Sequence, residues 1–182
     1  MIFSFIIVNY NTKKITADCI ASLYKNSKLQ AIDYEIIVVD NNSSDGSKDY
    51  LLSRFPDIIY IYNEENLGFG KANNIGSRIS KGKFIVLINS DTLVDQTDFS
   101  ELHRLVEERN DIGFLGCKIL NSDNSIQSVG FKFPSLMNEV KLRLLFWNFN
   151  TIKKHRFSNY KDKGLVEVDW ISGCFMIIDR EY

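Results

Sequence analysis

The sequence predicts an α/β fold built on a mainly parallel β-sheet with helices on both faces. Short apolar runs typical of buried strands alternate with segments that repeat apolar residues at helical spacing over residues 1–106. Polar clusters follow three of these runs, as expected where the strands of one parallel sheet end at a common edge. With 182 residues, the chain is long enough for one domain with a complete core.

Each strand and helix of the first half has its own signal. The strand signals are IFSFIIV (2–8), EIIVV (35–39), IIYIY (58–62) and FIVLIN (84–89). The helices are predicted by the apolar sets Ile15, Cys19 and Leu23; Tyr50, Leu51 and Phe55; Ala72, Ile75 and Ile79; and Leu102, Leu105 and Val106. Pro56 ends the second helix, Lys81 and Gly82 are a stop signal for the third, and Asp98 and Glu101 form an acidic start for the fourth.

The pattern changes after about residue 112. The turn-rich segment 121–125 lies between two apolar runs and predicts a hairpin at the edge of the sheet. We predict one domain over residues 1–182, with a first half (1–95) that carries the polar edge and an incomplete second half (96–182). The run CFMII (174–178) predicts another strand followed by a helix start at 179–182. Because a parallel sheet covers such a strand with the next helix, we expect the chain to be the N-terminal part of a longer protein.

Composition and charge exclude several classes of protein. A net charge of −1 gives no electrostatic reason to expect nucleic acid as a partner. The three cysteines are scattered without metal-site spacing and favour a reducing compartment. The N-terminal apolar run lacks the basic start and the cleavage site of a signal peptide, and no run has the length of a membrane-spanning helix. We therefore expect a cytoplasmic protein.

The polar clusters at residues 9–11, 40–43 and 89–91 predict a binding site. Because they follow strands of one parallel sheet, we expect Asp40 and Asp91 to face one cleft, with Tyr10 on its wall. Oxygen ligands without nearby His or Cys suit Mg²⁺ or Mn²⁺, and such a cation completes its shell with water and substrate phosphates. Tyr10 offers a surface on which a base can stack, and Asp40 can accept from a ring N–H. The cluster therefore predicts a nucleoside diphosphate site with Asp91 as its metal ligand.

A glycine-rich segment, NEENLGFGKANNIG (63–76), leads into the third helix. A dinucleotide fingerprint would follow the first strand, whereas this segment follows the third. Gly68 and Gly70 are explained equally well by a ligand contact and by a tight turn with close helix packing.

Five segments, taken in order, resemble the family-2 glycosyltransferases with the GT-A fold, particularly the rhamnosyltransferase-like members. The segments are FIIVNYN, EIIVVDNNSSDGS, NLGFGKANNIG, FIVLINSD and VDWISGCFMIIDRE, and they span nearly the whole chain. The resemblance implies a nucleotide-sugar donor site comprising Val8, Asn9, Tyr10, Asp40, Asn66, Gly68, Lys71, Asn89 and Ser90.

The resemblance also assigns roles to individual residues. Val8, Asn9 and Tyr10 are expected to line the base, and Asp40 is expected to bond its N3–H. Asp91 stands where the family's DxD motif stands and is implied as the catalytic metal ligand for Mg²⁺ or Mn²⁺. Asn89 replaces the first aspartate of that motif, so the metal site carries one charge fewer. Two further residues, Trp170 and Gly173, are implied on the acceptor side, although Trp170 is also explained as a core residue.

The implied activity is transfer of a sugar, with inversion, from a UDP- or dTDP-sugar to a saccharide or lipid-linked acceptor, in bacterial surface polysaccharide synthesis. The family's general base belongs to an acidic Glu-Asp motif beyond residues 170–173, and no such motif precedes Tyr182. We therefore expect this chain to lack the base. Asp169 is a candidate for it, with a local capping role as the alternative.

Two other classes of protein stay open at this point. A sugar-nucleotide nucleotidyltransferase also joins an α/β sheet to metal-bound carboxylates, but usually has a glycine-rich, basic loop directly after the first strand. A non-catalytic nucleotide-sugar-binding domain would have the same polar residues at the carboxyl edge of its sheet.

The apolar and basic stretch 140–156 has two interpretations. It suits contact with the inner face of an anionic membrane, which would bring the site close to a lipid-linked acceptor. Packing of such a stretch against the rest of the protein is the commoner explanation.

Overall fold

The computed structural model describes residues 1–94, 96–109, 111–127, 130–131 and 164–181. In these ranges the strands are β1 (Phe3–Asn9), β2 (Tyr34–Asp40), β3 (Ile59–Tyr62), β4 (Phe84–Asn89), β5 (Phe114–Gly116), β6 (Ile119–Leu120), β7 (Ile126–Gln127), β8 (Gly130–Phe131), β9 (Trp170–Ile171) and β10 (Phe175–Asp179). The helices are α1 (Lys13–Lys25), α2 (Ser47–Arg54), α3 (Phe69–Ile79) and α4 (Phe99–Glu108).

A six-stranded sheet in the order β3-β2-β1-β4-β10-β5 is the centre of the fold. β1 runs parallel to both β2 and β4, and β2 runs parallel to β3. β10 runs antiparallel to β4, with Phe175 opposite Ile88. The amino end of β10 therefore lies at the edge where the parallel strands end. The predicted mainly parallel sheet is confirmed.

One face of the sheet carries an aromatic core covered by α4 and α1. Phe3, Phe5 and Phe84 are fully buried, and Phe99 of α4 packs against them with its ring centroid 5.3 Å from that of Phe5. On α1, the Thr16 hydroxyl donates a hydrogen bond of 2.8 Å to Oδ1 of Asn9, which lies on the same face of β1 as Phe3 and Phe5. Burial of large aromatic rings is the main source of stability on this face.

The opposite face packs against α3. Ala72 of this helix lies in a buried cluster with Ile6, Ile37 and Ile85. A Cβ added at Gly76 would lie 2.6 Å from Cγ2 of Ile6, so the glycine lets α3 approach β1 closely. This contact confirms helices on both faces, and it carries the amino end of α3 to the carboxyl edge of the sheet.

The helix boundaries confirm some local signals and correct others. Asp98, predicted as part of an acidic start of α4, caps this helix and accepts hydrogen bonds of 3.1 Å from the backbone N–H groups of Ser100 and Glu101. Gly82 does not end α3, which stops at Ile79. A Cβ at position 82 would lie 2.6 Å from the backbone nitrogen of Ser4, so this glycine is needed for a close approach of two chain segments.

The described chain divides into two compact units. The first comprises Met1–Leu115 and Gly173–Tyr182, and the second comprises Gly116–Ser172. In the second unit, β6 and β7 form the predicted antiparallel hairpin, with Leu120 opposite Ile126. β8 pairs with β9 in the same unit. The division into halves 1–95 and 96–182 stays a prediction.

None of the helices in the described ranges combines the length and the hydropathy required to cross a bilayer. The stretch 140–156, for which membrane contact was predicted, lies outside the described residues.

Candidate active site

A cleft of about 210 Å³ opens at the carboxyl edge of the sheet. Its lining residues come from the ends of β1 and β4, the start of α1 and the start of α3; they are Val8, Tyr10, Thr12, Phe69, Asn89, Ser90 and Asp91. Five of them were predicted from the sequence as site residues. The other two, Thr12 and Phe69, were missed.

Asp91 presents an exposed carboxylate to this cleft. Within the described part of the chain, that carboxylate accepts no hydrogen bond and forms no ion pair. The loop that carries it is nevertheless held in place. The backbone N–H of Asn89 donates to the carbonyl of Cys174 at 3.0 Å, and the backbone N–H of Thr92 donates to the carbonyl of Asn89 at 3.1 Å. A fixed backbone with a free carboxylate is the arrangement that a ligand site requires.

The buried thiol of Cys19 lies beneath the same loop. Its Sγ donates to the carbonyl of Asn89 at 3.6 Å. Burial, reinforced by the negative charge of Asp91, raises the pKa of the thiol to about 12. Cys19 therefore stays neutral near pH 7, where it supplies neither a nucleophile nor a thiolate metal ligand.

Asp40 lies at the same edge but is fully buried and does not line the cleft. Its carboxylate accepts hydrogen bonds from the backbone N–H of Ser43 at 2.6 Å, from Nδ2 of Asn9 at 2.7 Å and from the Tyr60 hydroxyl. Burial, followed by the hydrogen bond to Asp40, raises the pKa of Tyr60. The expectation that Asp40 and Asp91 face one cleft is thus not met. The predicted bond between Asp40 and a base stays a prediction.

The alternation of side chains along the strands explains the position of Asp40. Asn9 lies opposite Asp40 in the pairing of β1 with β2, so both side chains point to the face that packs against α1. Val8 and Asn89 lie opposite each other in the pairing of β1 with β4, and they point to the face of α3, where the cleft opens.

Asn9 joins three parts of the edge. Its Oδ1 accepts from the hydroxyls of Thr12 and Thr16, at 2.9 and 2.8 Å. Its Nδ2 donates to Asp40 and, at 2.9 Å, to the Ser43 hydroxyl. Every hydrogen-bonding position of this buried amide is filled within the protein. Asn9 therefore holds the segment on which Tyr10 stands, and its predicted contact with a base stays a prediction.

The glycine-rich segment shapes the start of α3. Gly68 has a φ of +78°, a conformation that favours glycine, and its N–H donates to Oδ1 of Asn66 at 2.9 Å. Asn41 also donates to the Gly68 carbonyl, at 3.3 Å. Asn66, Gly68 and Lys71 are exposed but do not line the cleft, whereas Phe69, directly after the tight turn, does.

One further polar group on α3 was missed by the sequence analysis. Asn73 is 5% exposed, and its Nδ2 donates to no acceptor in the described residues. Buried donors are rarely left without a partner in native proteins, so the Asn73 amide is a candidate for contact with water or with a ligand.

The two residues predicted on the acceptor side lie in different units. Trp170 is on β9 of the second unit and is 45% exposed. Gly173 belongs to the first unit, where an added Cβ would lie 3.5 Å from Cε1 of Phe69. The contact between Gly173 and Phe69 connects the start of β10 with the wall of the cleft.

The donor set of the cleft fits a hard divalent cation held together with a phosphate ligand. No group of three or more His, Cys, Asp or Glu side chains in the described ranges could form an all-protein metal site. Mg²⁺ and Mn²⁺ do not require one, because one carboxylate with water and substrate phosphates is a common shell for such ions. Asp91 supplies the carboxylate, and Asn89 and Ser90 supply neutral oxygens beside it.

Comparisons with known proteins identify the family of this chain and its fold. The family model for Glycosyl transferase family 2 matches residues 4–181. Over 98 residues the chain is 33% identical to the Poly(ribitol-phosphate) beta-glucosyltransferase of Bacillus spizizenii, an alignment that covers 52% of this chain and 15% of that protein.

Two solved structures share the fold. The structure of S. aureus TarS 1–349 in complex with UDP superposes with a TM-score of 0.60 and 24% identity, covering 71% of this chain and 39% of that one. The mannosyltransferase PcManGT from Pyrobaculum calidifontis, solved with GDP-Man and Mn²⁺, superposes with a TM-score of 0.53 and 20% identity, covering 65% of this chain and 35% of that one. These likenesses confirm the predicted GT-A fold.

The matched share of each protein differs between the relatives and the family model. The chain spans less than half the length of the curated relatives that it matches. The family model, by contrast, covers nearly every residue of the chain. The chain therefore belongs to glycosyl transferase family 2.

Proposed function

We propose that this chain forms the donor-binding part of an inverting glycosyltransferase that transfers a sugar from a UDP- or dTDP-sugar in the presence of Mg²⁺ or Mn²⁺. The observation that carries the proposal is the free carboxylate of Asp91 at the end of β4, in a cleft that it shares with the exposed ring of Tyr10. A charged group for a metal-bound diphosphate and a flat surface for a base are the two features that such a donor requires.

Four residues of the cleft have a part in the proposed reaction. Asp91, with the oxygens of Asn89 and Ser90, would hold the cation, which when bound offsets the negative charge that develops on the leaving diphosphate. Tyr10 supports the base by stacking. The acceptor hydroxyl attacks the anomeric carbon from the face opposite the diphosphate, and the bond from that carbon to the phosphate oxygen breaks. Its electron pair leaves with the nucleoside diphosphate.

The acceptor proton needs a base that the cleft does not supply. Among the described residues that line it, Asp91 is the only carboxylate, and its proposed role is to bind the metal. We propose that the base belongs to a residue outside this lining. Asp169, in the second unit, stays a candidate.

The proposed acceptor is a saccharide or a lipid-linked saccharide of bacterial surface polysaccharide synthesis, at the inner face of the membrane. The relative from Bacillus spizizenii, whose name describes a glucosyltransferase of a polymer, supports this class of acceptor. A nucleotidyltransferase is disfavoured by the segment after β1. Asn9 and Thr12 close that segment through side-chain hydrogen bonds, where the nucleotidyltransferases have an open glycine-rich loop.

Titration calorimetry with UDP and dTDP, with and without Mn²⁺, tests the proposal on this chain. We expect binding that depends on the metal and that weakens about ten- to a hundredfold in Asp91→Ala, because a ligand with full charge is lost. Asp57→Ala, which removes an exposed carboxylate in the turn after α2, is the matched control and should bind like wild type. Equal binding by Asp91→Ala and wild type would remove Asp91 from the metal site.

Product analysis separates the two classes of enzyme. A glycosyltransferase releases nucleoside diphosphate from a nucleotide sugar in the presence of an acceptor. A nucleotidyltransferase instead releases pyrophosphate from a nucleoside triphosphate and a sugar phosphate.

A further inference from the structure

We infer that Phe69 and Gly173 form the wall of the subsite that binds the sugar ring of the donor. The inference rests on the proposed function, because it places one part of the same ligand. It adds a specific contact residue, Phe69, and a reason for a small residue at position 173.

Phe69 is an apolar side chain in an otherwise polar part of the cleft. It is the first residue of α3, its ring is 45% exposed, and it lines the cleft with Asn89, Ser90 and Asp91. The rest of the buried face of α3 begins at Ala72, one turn later. The Phe69 ring is therefore not needed to fill the core, and its exposed face is free to contact a ligand.

The order of the strands places Gly173 on the side of Asp91 that is remote from the base. Along the carboxyl edge, β1 is followed by β4 and then by the start of β10. Neighbouring strands lie about 4.8 Å apart, so the end of β1 and the start of β10 are separated by about 10 Å, with the end of β4 between them. Tyr10 follows β1, Asp91 follows β4, and Gly173 precedes β10.

A nucleotide sugar has the same order of parts, with its diphosphate between the nucleoside and the sugar. If the diphosphate lies at Asp91 and the base at Tyr10, the sugar lies towards β10. Phe69 marks that side of the cleft, because its ring is the group that a side chain at position 173 would meet.

A small residue at position 173 leaves room for the Phe69 ring. A Cβ there would lie 3.5 Å from Cε1 and 3.9 Å from Cζ of Phe69, which is ordinary van der Waals contact. Alanine would therefore fit without moving the ring. A longer side chain would extend into the space that the ring occupies and would displace it.

The chemistry of the two walls suits a sugar. A pyranose presents C–H groups on its faces and hydroxyls around its rim. The Phe69 ring covers an apolar face and removes it from water. Asn89 and Ser90, on the same cleft, can hydrogen-bond the hydroxyls of the rim.

The test is to compare the affinity for a nucleoside diphosphate with the affinity for the corresponding nucleotide sugar. Calorimetry in Mn²⁺ would use UDP with UDP-glucose and UDP-N-acetylglucosamine, and dTDP with dTDP-rhamnose, and the pair that binds wild type most tightly would be carried forward. We expect Phe69→Ala to leave the Kd of the diphosphate within about twofold and to weaken the nucleotide sugar about tenfold, because apolar contact area is lost. Phe69→Leu should recover part of that affinity. Phe114→Ala, at a phenylalanine that is 61% exposed on β5, is the control and should change neither Kd.

Position 173 provides a second, independent test of the wall. Gly173→Ala should bind both ligands like wild type, whereas Gly173→Leu should weaken the nucleotide sugar and spare the diphosphate. Thermal unfolding of each variant confirms that it is folded. Equal weakening of both ligands by Phe69→Ala would place the ring at the nucleotide and overturn the inference, as would unchanged binding of both. Wild-type protein that binds no diphosphate at all would refute the proposed function, and this inference with it.

Discussion

Replacing Asp40 by asparagine distinguishes a residue that holds the edge of the sheet together from one that binds a nucleotide. The substitution keeps the size of the side chain and removes its charge. The carboxylate is fully buried and accepts from Ser43, Asn9 and Tyr60. The asparagine oxygen can keep the hydrogen bond from the Ser43 N–H. The new NH2 group, however, faces two groups that donate to the carboxylate, Nδ2 of Asn9 and the Tyr60 hydroxyl.

The expected loss of stability follows from those two contacts. The bond from Asn9 is lost outright, although Nδ2 of Asn9 keeps its second partner, the Ser43 hydroxyl. The Tyr60 hydroxyl can turn its hydrogen away and accept from the new amide, so a charge-assisted bond becomes a neutral one. A hydrogen bond to a charged group contributes about 1.5–3 kcal/mol and a neutral one about 1 kcal/mol. Asp40→Asn should therefore lower the free energy of unfolding by about 2–4 kcal/mol.

Urea unfolding followed by circular dichroism measures this change as a shift of the midpoint at constant slope. Asp57→Asn removes the same charge from an exposed turn and should stay within about 0.5 kcal/mol of wild type. Calorimetry with UDP on the same variants reports the effect on the ligand. A chain with Asp40→Asn that unfolds like wild type but binds UDP poorly would refute the structural role and would support the predicted bond to a base.

Two further predictions concern groups whose pKa values the fold raises. Because burial and the bond to Asp40 raise the pKa of Tyr60 above its usual value of about 10, the neutral hydroxyl stabilises the folded state fully below about pH 10, and this contribution declines as the pH rises towards the raised pKa. In Tyr60→Phe, the urea midpoint should therefore fall less steeply with pH above about pH 10 than in wild type. Parallel plots of midpoint against pH for the two proteins would contradict this. Because the pKa of Cys19 is raised to about 12, iodoacetamide at about pH 8 should modify Cys174 and leave Cys19 intact until the chain unfolds. Peptide mass spectrometry measures both sites, and equal rates at the two cysteines would show that the Cys19 thiol is accessible.

Local sequence signals predicted the strands, and topology predicted much of the cleft. Tyr10, Ser90 and Asp91 could be placed at one edge because residues that follow parallel strands share that edge, whatever the details of packing. The cap at Asp98 was predictable for a different reason, since a capping side chain acts within its own helix turn.

What the sequence could not predict depends on contacts between distant segments. A polar residue at a strand end indicates the edge but not the face, and Asp40 points away from the cleft because of its register with Asn9. Phe69 lay in a segment whose glycines were the visible signal, and an apolar residue in a helix is ordinarily assigned to the core. Ile15 shows the same difficulty, because it fits the spacing of the buried residues of α1 and is nevertheless 47% exposed.

The antiparallel strand β10 has a consequence for the synthesis of the protein on the ribosome. The edge of β4 has no β10 partner until the chain has grown to residue 179, and unpaired edges are where partly folded chains associate. The carbonyl of Cys174 also accepts from the N–H of Asn89 and from the Thr92 hydroxyl, on either side of Asp91. The loop that presents Asp91 therefore acquires these restraints only when β10 docks, so the proposed site for the diphosphate lacks them until then.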